Sequence, residues 1–504
     1  MKIFILTLLF SANICFSNYS SPGTGVSWNL DSLVNNSSGN VTFSGGIYFV
    51  NDTITFSAGD TLKILNNSEL RFGTSVFMDF FGVMIIDPTD SVKITAQDTV
   101  TKFLGLKFED QSDGSRLRKL IFEYGNSIRM LDCDLLIDSC IIRYNTLNSS
   151  FASGAVSLFR SNSVISNCRI FRNRRSAITS GANIPSSPLI LNNIIYENNT
   201  ENANVPQINF GATGTGQMVI RGNVITGLFN NSGGIAFLPI GSIADLVIEN
   251  NIIRQNRYGI AILGGPANVY INNNIIDSNN IQGSPSLGGS GINFSGSSNL
   301  ISTVTRNKIR GNLWGITIQN TAKPNMGDLT SPDTADIGLN EIYGNGNSGK
   351  IFDLFNNTPD SIKAENNYWG TDNLDSVEAH IFHKPDSSAL GYVDFIPIRI
   401  TTHISQNQVK LSDLNFELYD AYPNPFNPET TIKFRIPENG SASEVYSMKI
   451  YNIGGRLMSV LFNKRFQAGN YSLRFNAADL PSGIYIYTLS SGVKNISKKI
   501  VLLK

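Results

Sequence analysis

The sequence has little charge and few side chains of the kinds that carry out catalysis. Charged residues make up 15% of its 504 residues, 39 basic side chains balance 39 acidic ones, and there are three histidines and four cysteines. Because the charges are few and balanced in sign, neither nucleic acid nor an anionic membrane surface is an obvious electrostatic partner. We therefore expect no nucleic-acid partner, and the sequence assigns no cofactor and no metal ion.

Long apolar runs are also scarce. Lys2 and the apolar stretch that follows it predict a signal peptide over residues 1–17. Lipidation at Cys15 is the alternative, although the bulky Ile14 before it disfavours such a site. Beyond these residues there is no run of eighteen apolar residues, so we expect no transmembrane segment after the signal is cleaved.

Cysteine is too rare to cross-link the whole chain. Cys133, Cys140 and Cys168 follow the predicted signal peptide, and an odd number argues against a complete disulfide framework. Small buried apolar side chains are the simpler interpretation. Cys140 and Cys168 hold the same place in neighbouring repeats and should lie in contact, although parallel strands in register rarely allow disulfide geometry. The sequence leaves their pairing open.

A six-residue pattern recurs eight times between residues 140 and 345. Its copies start 23 to 33 residues apart, so the loops between them vary in length. The third position is Ile in every copy, and the sixth is Asn in all but one. The copies begin at Cys140, Cys168, Asn193, Asn223, Asn251, Asn274, Asn307 and Asn340, and a ninth, degenerate copy begins at Asn367.

Two further short strands accompany most copies. Gly234-Ile-Ala-Phe and its counterparts follow the pattern, and runs such as residues 246–250 precede it. Three strands per repeat, punctuated by Asn and Gly, are typical of stacked coils rather than of a globular domain. Each strand would pair in parallel with its equivalents about 4.8 Å away. The Ile column would fill the interior, and the Asn columns would form amide ladders at corners that need left-handed backbone angles.

These coils resemble those of secreted right-handed parallel β-helix proteins with a pectin-lyase-like fold, especially the Asn-rich coils of the copper-chaperone-like and adhesin-like branches. Glu365-Asn-Asn-Tyr-Trp-Gly370 looks like the terminal coil frequent in that group. The resemblance implies a fold rather than an activity, because the group holds lyases, hydrolases, adhesins and binding scaffolds. Asp-Asp and Gly-His-Gly are both absent, so the pectin-hydrolase pattern is missing.

The C-terminal residues carry a denser set of motifs. They are Tyr422-Pro-Asn-Pro-Phe-Asn-Pro428, Gly454-Gly455 and Gly483-Ile-Tyr485. This set is similar to the type A sorting domain of type IX secretion cargo, a seven-stranded β-sandwich. The resemblance implies that the secretion machinery is a partner and that the protein reaches the extracellular space or the outer cell surface. The implied sorting residues are Tyr422, Pro423, Asn424, Pro425, Phe426, Asn427, Pro428, Gly454, Gly455, Gly483 and Tyr485. A binding module without an export role is the alternative.

The chain is thus predicted to be all-β. We expect a right-handed parallel β-helix with end caps over residues 18–400, a linker over 401–414 and a small immunoglobulin-like β-sandwich over 415–504. Residues 18–40 are expected to cover the first coil, because a solenoid end exposes apolar core. A helix over 377–384 is expected to help close the last coil.

The fourth position of the repeat should face outward, because the Ile beside it faces the interior. Arg254, Asp277 and Arg310 occupy it in three consecutive repeats, and Tyr196 and Tyr343 lie on the same stripe. Basic and aromatic side chains on one flat face suit a sugar-binding groove. Candidate ligand-binding residues are therefore Tyr196, Arg254, Arg310 and Tyr343, and candidate catalytic residues are Arg254, Asp277 and Arg310. A surface charge ladder without a ligand is the alternative.

Histidines occur only at or beyond the last coil. His380 and His383 are spaced to share one face of a helix and to hold a metal with a third ligand. No such ligand is evident, so surface positions are expected. The sequence predicts a secreted or cell-surface β-helix that binds extracellular polysaccharide without an assigned catalytic activity. A polysaccharide lyase or other glycan-active enzyme is one alternative, and a structural or adhesive surface protein is another.

Overall fold

The computed structural model describes residues 18–147, 153–181, 183–214, 216–239, 244–400, 417–436, 445–452, 456–491 and 494–504. The predicted signal peptide, the predicted linker, and Gly454 and Gly455 of the sorting motif lie outside these residues. The chain forms two compact units, residues 1–401 and 402–504.

The first unit is a parallel β-helix of three sheets, which each coil visits in the order sheet 3, sheet 2, sheet 1. Within these three sheets, the strand pairs are parallel except for the hairpin that opens sheet 2. Sheet 1 contains Tyr19–Ser20, Ile54–Phe56, Phe77–Phe80, Gly105–Phe108, Ile128–Leu131, Gly154–Phe159, Ser176–Ser180, Pro206–Phe210, Gly233–Phe237, Ile260–Leu263, Ser290–Gly296, Trp314–Asn320, Leu354–Asn357 and Ile381–Phe382. Sheet 2 contains Val41–Ser44, Ile47–Val50, Ser68–Phe72, Val92–Ala96, Leu120–Glu123, Ile141–Arg143, Arg169–Phe171, Ile194–Tyr196, Val224–Thr226, Ile252–Arg254, Ile275–Asp277, Lys308–Arg310 and Glu341–Tyr343. Sheet 3 contains Ser27–Trp28, Thr61–Ile64, Val83–Ile86, Arg116–Arg118, Leu136–Asp138, Val164–Ser166, Leu189–Leu191, Met218–Arg221, Ala244–Glu249, Ala267–Asn272 and Leu300–Thr305.

The predicted Ile column fills the interior of the coils. All eight of these residues are fully buried, as is Trp369 in the ninth copy. A buried Ile contributes about 1.5–3 kcal/mol relative to an exposed one, so this column stabilises the stack strongly. Cys140 and Cys168 lie in the same core, and all three described cysteines are free.

Two Asn ladders run along the corners on either side of sheet 2. The first joins the Asn residues that begin the repeats, from Asn193 to Asn367, through side-chain amide bonds of 2.8–3.0 Å. The second joins those at the sixth position, from Asn145 to Asn345. The amide ladders are confirmed. The left-handed backbone angle, however, falls on the residue before the ladder Asn, as at Arg306 with φ 57°.

Short helices lie at both ends of the β-helix. Leu30–Asn36 begins with the Asn29 cap and buries Leu30 and Leu33. The predicted helix over 377–384 instead spans Leu374–His380, because Asn373 caps its start and the chain turns extended at Ile381. Within the described residues, neither α-helix is long and apolar enough to cross a bilayer. The remaining elements are the 3-10 turn Thr334–Asp336 and the strand pairs Gly346–Asn347 with Lys350–Ile351 and Ile362–Lys363 with Val393–Asp394.

The second unit is a β-sandwich of antiparallel sheets. Its described strands form a three-stranded sheet and a four-stranded sheet around Phe434, Tyr487 and Leu489. The first contains Glu417–Leu418, Glu429–Ile436 and Gly469–Asn476, and the second contains Leu457–Arg465, Val445–Asn452, Gly483–Ser491 and Lys494–Leu502.

Candidate functional site

The predicted stripe lies on the outer face of sheet 2, with its side chains in register across adjacent strands. The fourth-position side chains therefore form one continuous column. In order it runs through Tyr196, Thr226, Arg254, Asp277, Arg310 and Tyr343.

Neighbouring side chains of the stripe contact one another. Arg310 Nη2 lies 2.8 Å from Asp277 Oδ2, and Arg254 Nε donates to Thr226 Oγ1 at 3.5 Å. Tyr196 stacks on Phe171 with ring centroids 4.7 Å apart. The column is therefore a set of mutual contacts on a flat face, and its binding and catalytic roles stay predictions.

A groove of about 450 Å³ lies on the outer face of sheet 1, where the repeat pattern predicted no site. Its floor is a register column of Ala261, Asn293, Thr317 and Phe355. The Thr317 hydroxyl donates to Asn293 Oδ1 at 2.8 Å, which orients the amide and leaves its NH₂ group free among the described residues. The volume lies in the range of small-molecule sites.

Trp314 is the largest side chain of the groove. Its Nε1 donates to Pro285 O at 2.9 Å, and its ring stacks on Phe355 with centroids 5.2 Å apart. Both rings are half-buried. The loop containing Pro285 thus fixes an aromatic platform that keeps part of its surface accessible.

Arg257 and Tyr258 also line the groove. Arg257 Nε donates to Leu287 O at 2.6 Å, and its Nη1 donates to Asn204 Oδ1. No acidic residue lines the groove, and within the described chain the Arg257 guanidinium has no carboxylate partner. Burial raises the pKa of Tyr258 to about 12, so its phenol is a protonated donor at neutral pH.

Two glycines make room for these side chains. A Cβ at Gly233 would lie 2.2 Å from Tyr258 Cζ, and a Cβ at Gly288 would lie 2.7 Å from Arg257 Cγ. Such separations are far below van der Waals contact. Any larger residue at either glycine would therefore displace a lining side chain.

A charged cluster lies on the same face of sheet 1, nearer the N terminus. Asp79, Lys107 and Arg129 share a register column, and Arg129 Nη1 lies 2.6 Å from Glu109 Oε1. Burial, followed by the charge of Glu109, raises the pKa of Asp79. Among the described residues, Asp79 Oδ1 has no hydrogen-bond partner. A protonatable carboxyl beside a carboxylate and two cations has the composition that acid–base catalysis needs.

The expected surface position is wrong for His383, whereas His380 is half-buried. His383 is buried, its Nε2 lies 2.9 Å from Glu378 Oε1, and its Nδ1 accepts the Val393 N–H. His380 Nδ1 lies 3.1 Å from Asp353 Oδ2. The two imidazoles diverge because the helix ends between them, so each pairs with its own carboxylate rather than sharing a metal site.

In the second unit, the proline-rich segment of the sorting motif pairs with the last strand. Asn424 Oδ1 accepts from Val501 N at 2.8 Å, and its Nδ2 donates to Lys499 O at 3.1 Å. Phe426 is buried in the sandwich core, whereas Tyr422 is 81% exposed. Tyr485 is also buried, and its hydroxyl donates to Pro481 O. The motif is therefore held as a defined surface by the C-terminal residues of the chain.

Sequence reasoning missed the groove because its members come from loops of different lengths as well as from strands. The outward positions of the second strand type gave one usable signal. In Gly291-Ile-Asn-Phe and Trp314-Gly-Ile-Thr-Ile, a polar residue alternates with buried Ile, which places Asn293 and Thr317 on one outer column.

Comparison with known families agrees with both units. Residues 136–301 match the model of the right-handed β-helix region, and residues 420–503 match that of the secretion system C-terminal sorting domain. None of the curated proteins and none of the solved structures compared with the chain matches it. The sorting domain indicates contact with the secretion machinery and export to the cell surface or the extracellular space. The chain is a right-handed β-helix protein that carries a C-terminal sorting domain of the type IX secretion system.

Proposed function

We propose that the exported β-helix binds extracellular polysaccharide in the groove on sheet 1. The observation that supports this proposal most directly is that the rings of Trp314 and Phe355 line the same groove as the amide of Asn293 and the guanidinium of Arg257. Apolar C–H faces of sugars stack on aromatic rings, while their hydroxyl or carboxylate groups accept hydrogen bonds from amide and guanidinium donors. The long face of a solenoid also suits an extended ligand.

The stripe on sheet 2 is the competing surface for the same ligand class. Its Arg310 is already paired with Asp277, so binding a uronate there would have to compete with an existing ion pair. The groove offers an arginine without such a partner and a concave shape, which is why we place the site there.

Titration calorimetry of the chain without its predicted signal peptide, against neutral and uronate-containing polysaccharides, tests this proposal. Trp314→Ala and Arg257→Ala probe the groove, Arg310→Ala probes the stripe, and Phe43→Ala is an exposed aromatic control. We expect the groove variants to weaken binding by roughly tenfold and the other two to bind normally. If Arg310→Ala is the only variant that weakens binding, the polysaccharide binds the stripe instead of the groove. Binding to none of the polysaccharides would leave a structural or adhesive role as the better account.

Glycan cleavage is a second candidate function, favoured by the charged cluster around Asp79. In this hypothesis Asp79, whose pKa is raised by burial, is the general acid that protonates the leaving glycosidic oxygen, and Lys107 neutralises an acidic sugar. New reducing ends, or ultraviolet absorbance from unsaturated ends, would report cleavage. Asp79→Asn should abolish the signal, whereas the isosteric Asp277→Asn on sheet 2 should not. The opposite pattern would assign catalysis to the predicted stripe, and no signal with any polysaccharide would remove this candidate.

A further inference from the structure

Four aromatic rings continue from the groove toward the C-terminal end of the β-helix. Trp314 lies 4.7 Å from Phe352 and 5.2 Å from Phe355 between ring centroids, and Phe355 lies 5.1 Å from Phe382. All four rings are half-buried. This cluster, the aromatic ridge, therefore exposes ring surface along its whole length.

A second cleft, of about 500 Å³, lies beside the ridge. Phe352 and Phe382 line it together with Lys350 and Ile351, and Ile351 is 41% exposed. The groove on sheet 1 contains Trp314 and Phe355. Two rings of the ridge thus line each cavity, and the ridge connects two cavities of similar volume.

We propose that the groove, the aromatic ridge and the second cleft form one extended site that holds several consecutive sugar units of a polysaccharide chain. This inference rests on the proposed function, because the polysaccharide in the groove is the ligand that continues over the ridge. A monosaccharide would need only one cavity, whereas two cavities joined by continuous ring surface match a ligand longer than either.

The chemistry of the ridge limits the ligand class. Its surface is aromatic and offers no charge, so it suits successive pyranose rings that present their apolar C–H faces. Arg257 at the groove is cationic, whereas the second cleft has Lys350 and His380 beside the acidic Asp386. Acidic groups are therefore tolerated at the groove end and are not required on the ridge. The favoured ligand is therefore a chain of flat pyranose units, neutral or sparsely acidic.

The test is the dependence of affinity on chain length, measured by calorimetry with oligomers of β-1,4-linked glucose and of α-1,4-linked galacturonate, from disaccharide to octasaccharide. Affinity should keep rising beyond the length that fills the groove. Phe382→Ala and Ile351→Ala should weaken binding of the longest oligomers by roughly three- to tenfold and leave the shortest unchanged. Trp314→Ala should weaken binding at every length, and Phe43→Ala should weaken it at none.

The outcomes separate this inference from the proposed function. The extended site would be overturned if affinity stopped rising at the length that fills the groove and neither Phe382→Ala nor Ile351→Ala weakened binding. Binding in the groove would still stand. Equal loss at all lengths in Phe382→Ala, with no effect of Ile351→Ala, would also overturn the extended site, because Phe382 would then support the groove rather than contact a longer ligand. If Trp314→Ala does not weaken binding at any oligomer length, the proposed function itself is overturned.

Discussion

Gln207 Nε2 donates a hydrogen bond of 2.9 Å to Asn256 Oδ1 and so bridges a gap in the second Asn ladder. Its Oε1 accepts from Asn198 Nδ2 at 3.0 Å. The repeat between these two carries Leu228 at the ladder position, whereas Gln207 belongs to a strand of sheet 1. The side chain is fully buried. An amide from another sheet therefore replaces the missing Asn and keeps the buried polar groups of both ladder halves satisfied.

Replacing Gln207 with Met should destabilise the β-helix by about 1–3 kcal/mol, the cost of one unsatisfied buried group. Met preserves the volume but leaves Asn256 Oδ1 buried without its donor, whereas Asn198 Nδ2 keeps its bonds to the carbonyls of Ile170 and Tyr196. Urea unfolding and hydrogen exchange over residues 198–256 would measure the loss. Gln97→Met, at an exposed position, is the matched control. Equal stability of the two variants would show that the bridge is dispensable.

Adjacent residues of the repeat should differ sharply in their effect on stability. Ile253 is fully buried in the column, so Ile253→Ala should cost about 2–5 kcal/mol. Arg254 is exposed beside it, so Arg254→Ala should stay within about 0.5 kcal/mol. Thermal unfolding of the two variants checks the predicted inward and outward assignment. A large cost at Arg254 would mean that the stripe is part of the structural framework.

Structural features that recur in every coil could be predicted from the sequence, whereas few of the features that occur once could be. The Ile column, the Asn ladders and the coil itself follow from identical residues at recurring positions, because stacked coils place equivalents in contact. Gln207 was invisible to that reasoning, since it acts from another strand and only where the repeat fails. Asp353 and Glu378, the carboxylate partners of His380 and His383, were missed because they too lie outside the repeat pattern. The groove depends on loop residues such as Pro285, whose positions no repeat specifies.

The C-terminal end of the second ladder should make stability depend on pH. Asp353 Oδ1 accepts from Asn345 N and Nδ2. Burial raises the pKa of Asp353 above 3.8, and the hydrogen bond with Asp353 raises the pKa of His380 above 6.5. Both groups bind protons more tightly in the folded chain. The His380 contribution is therefore complete below pH 6.5 and is lost as pH rises through its folded pKa, and Asp353 acts in the same direction from lower pH.

Asp353→Asn should flatten this dependence while keeping the ladder, because an amide oxygen can accept the same two bonds from Asn345. His380→Gln should also flatten it, since the ionisable partner is removed. Midpoints of thermal unfolding between about pH 6 and 8 would show the slope. Asp375→Asn, an exposed change on the same helix as His380, should retain the full slope. If the unfolding midpoint of both Asp353→Asn and His380→Gln keeps the same dependence on pH, the titrating group lies elsewhere.

Asn424→Ala should reduce export of the protein several-fold. Its side chain makes two hydrogen bonds to the last strand, and losing both releases the proline-rich segment from the surface that the sorting domain presents. Immunoblots of medium, cell surface and cell envelope would measure where the protein accumulates. Asn463→Ala, at an exposed position in the same unit, should be exported normally. Normal export of Asn424→Ala would mean that the secretion machinery reads the domain without requiring this loop to be fixed.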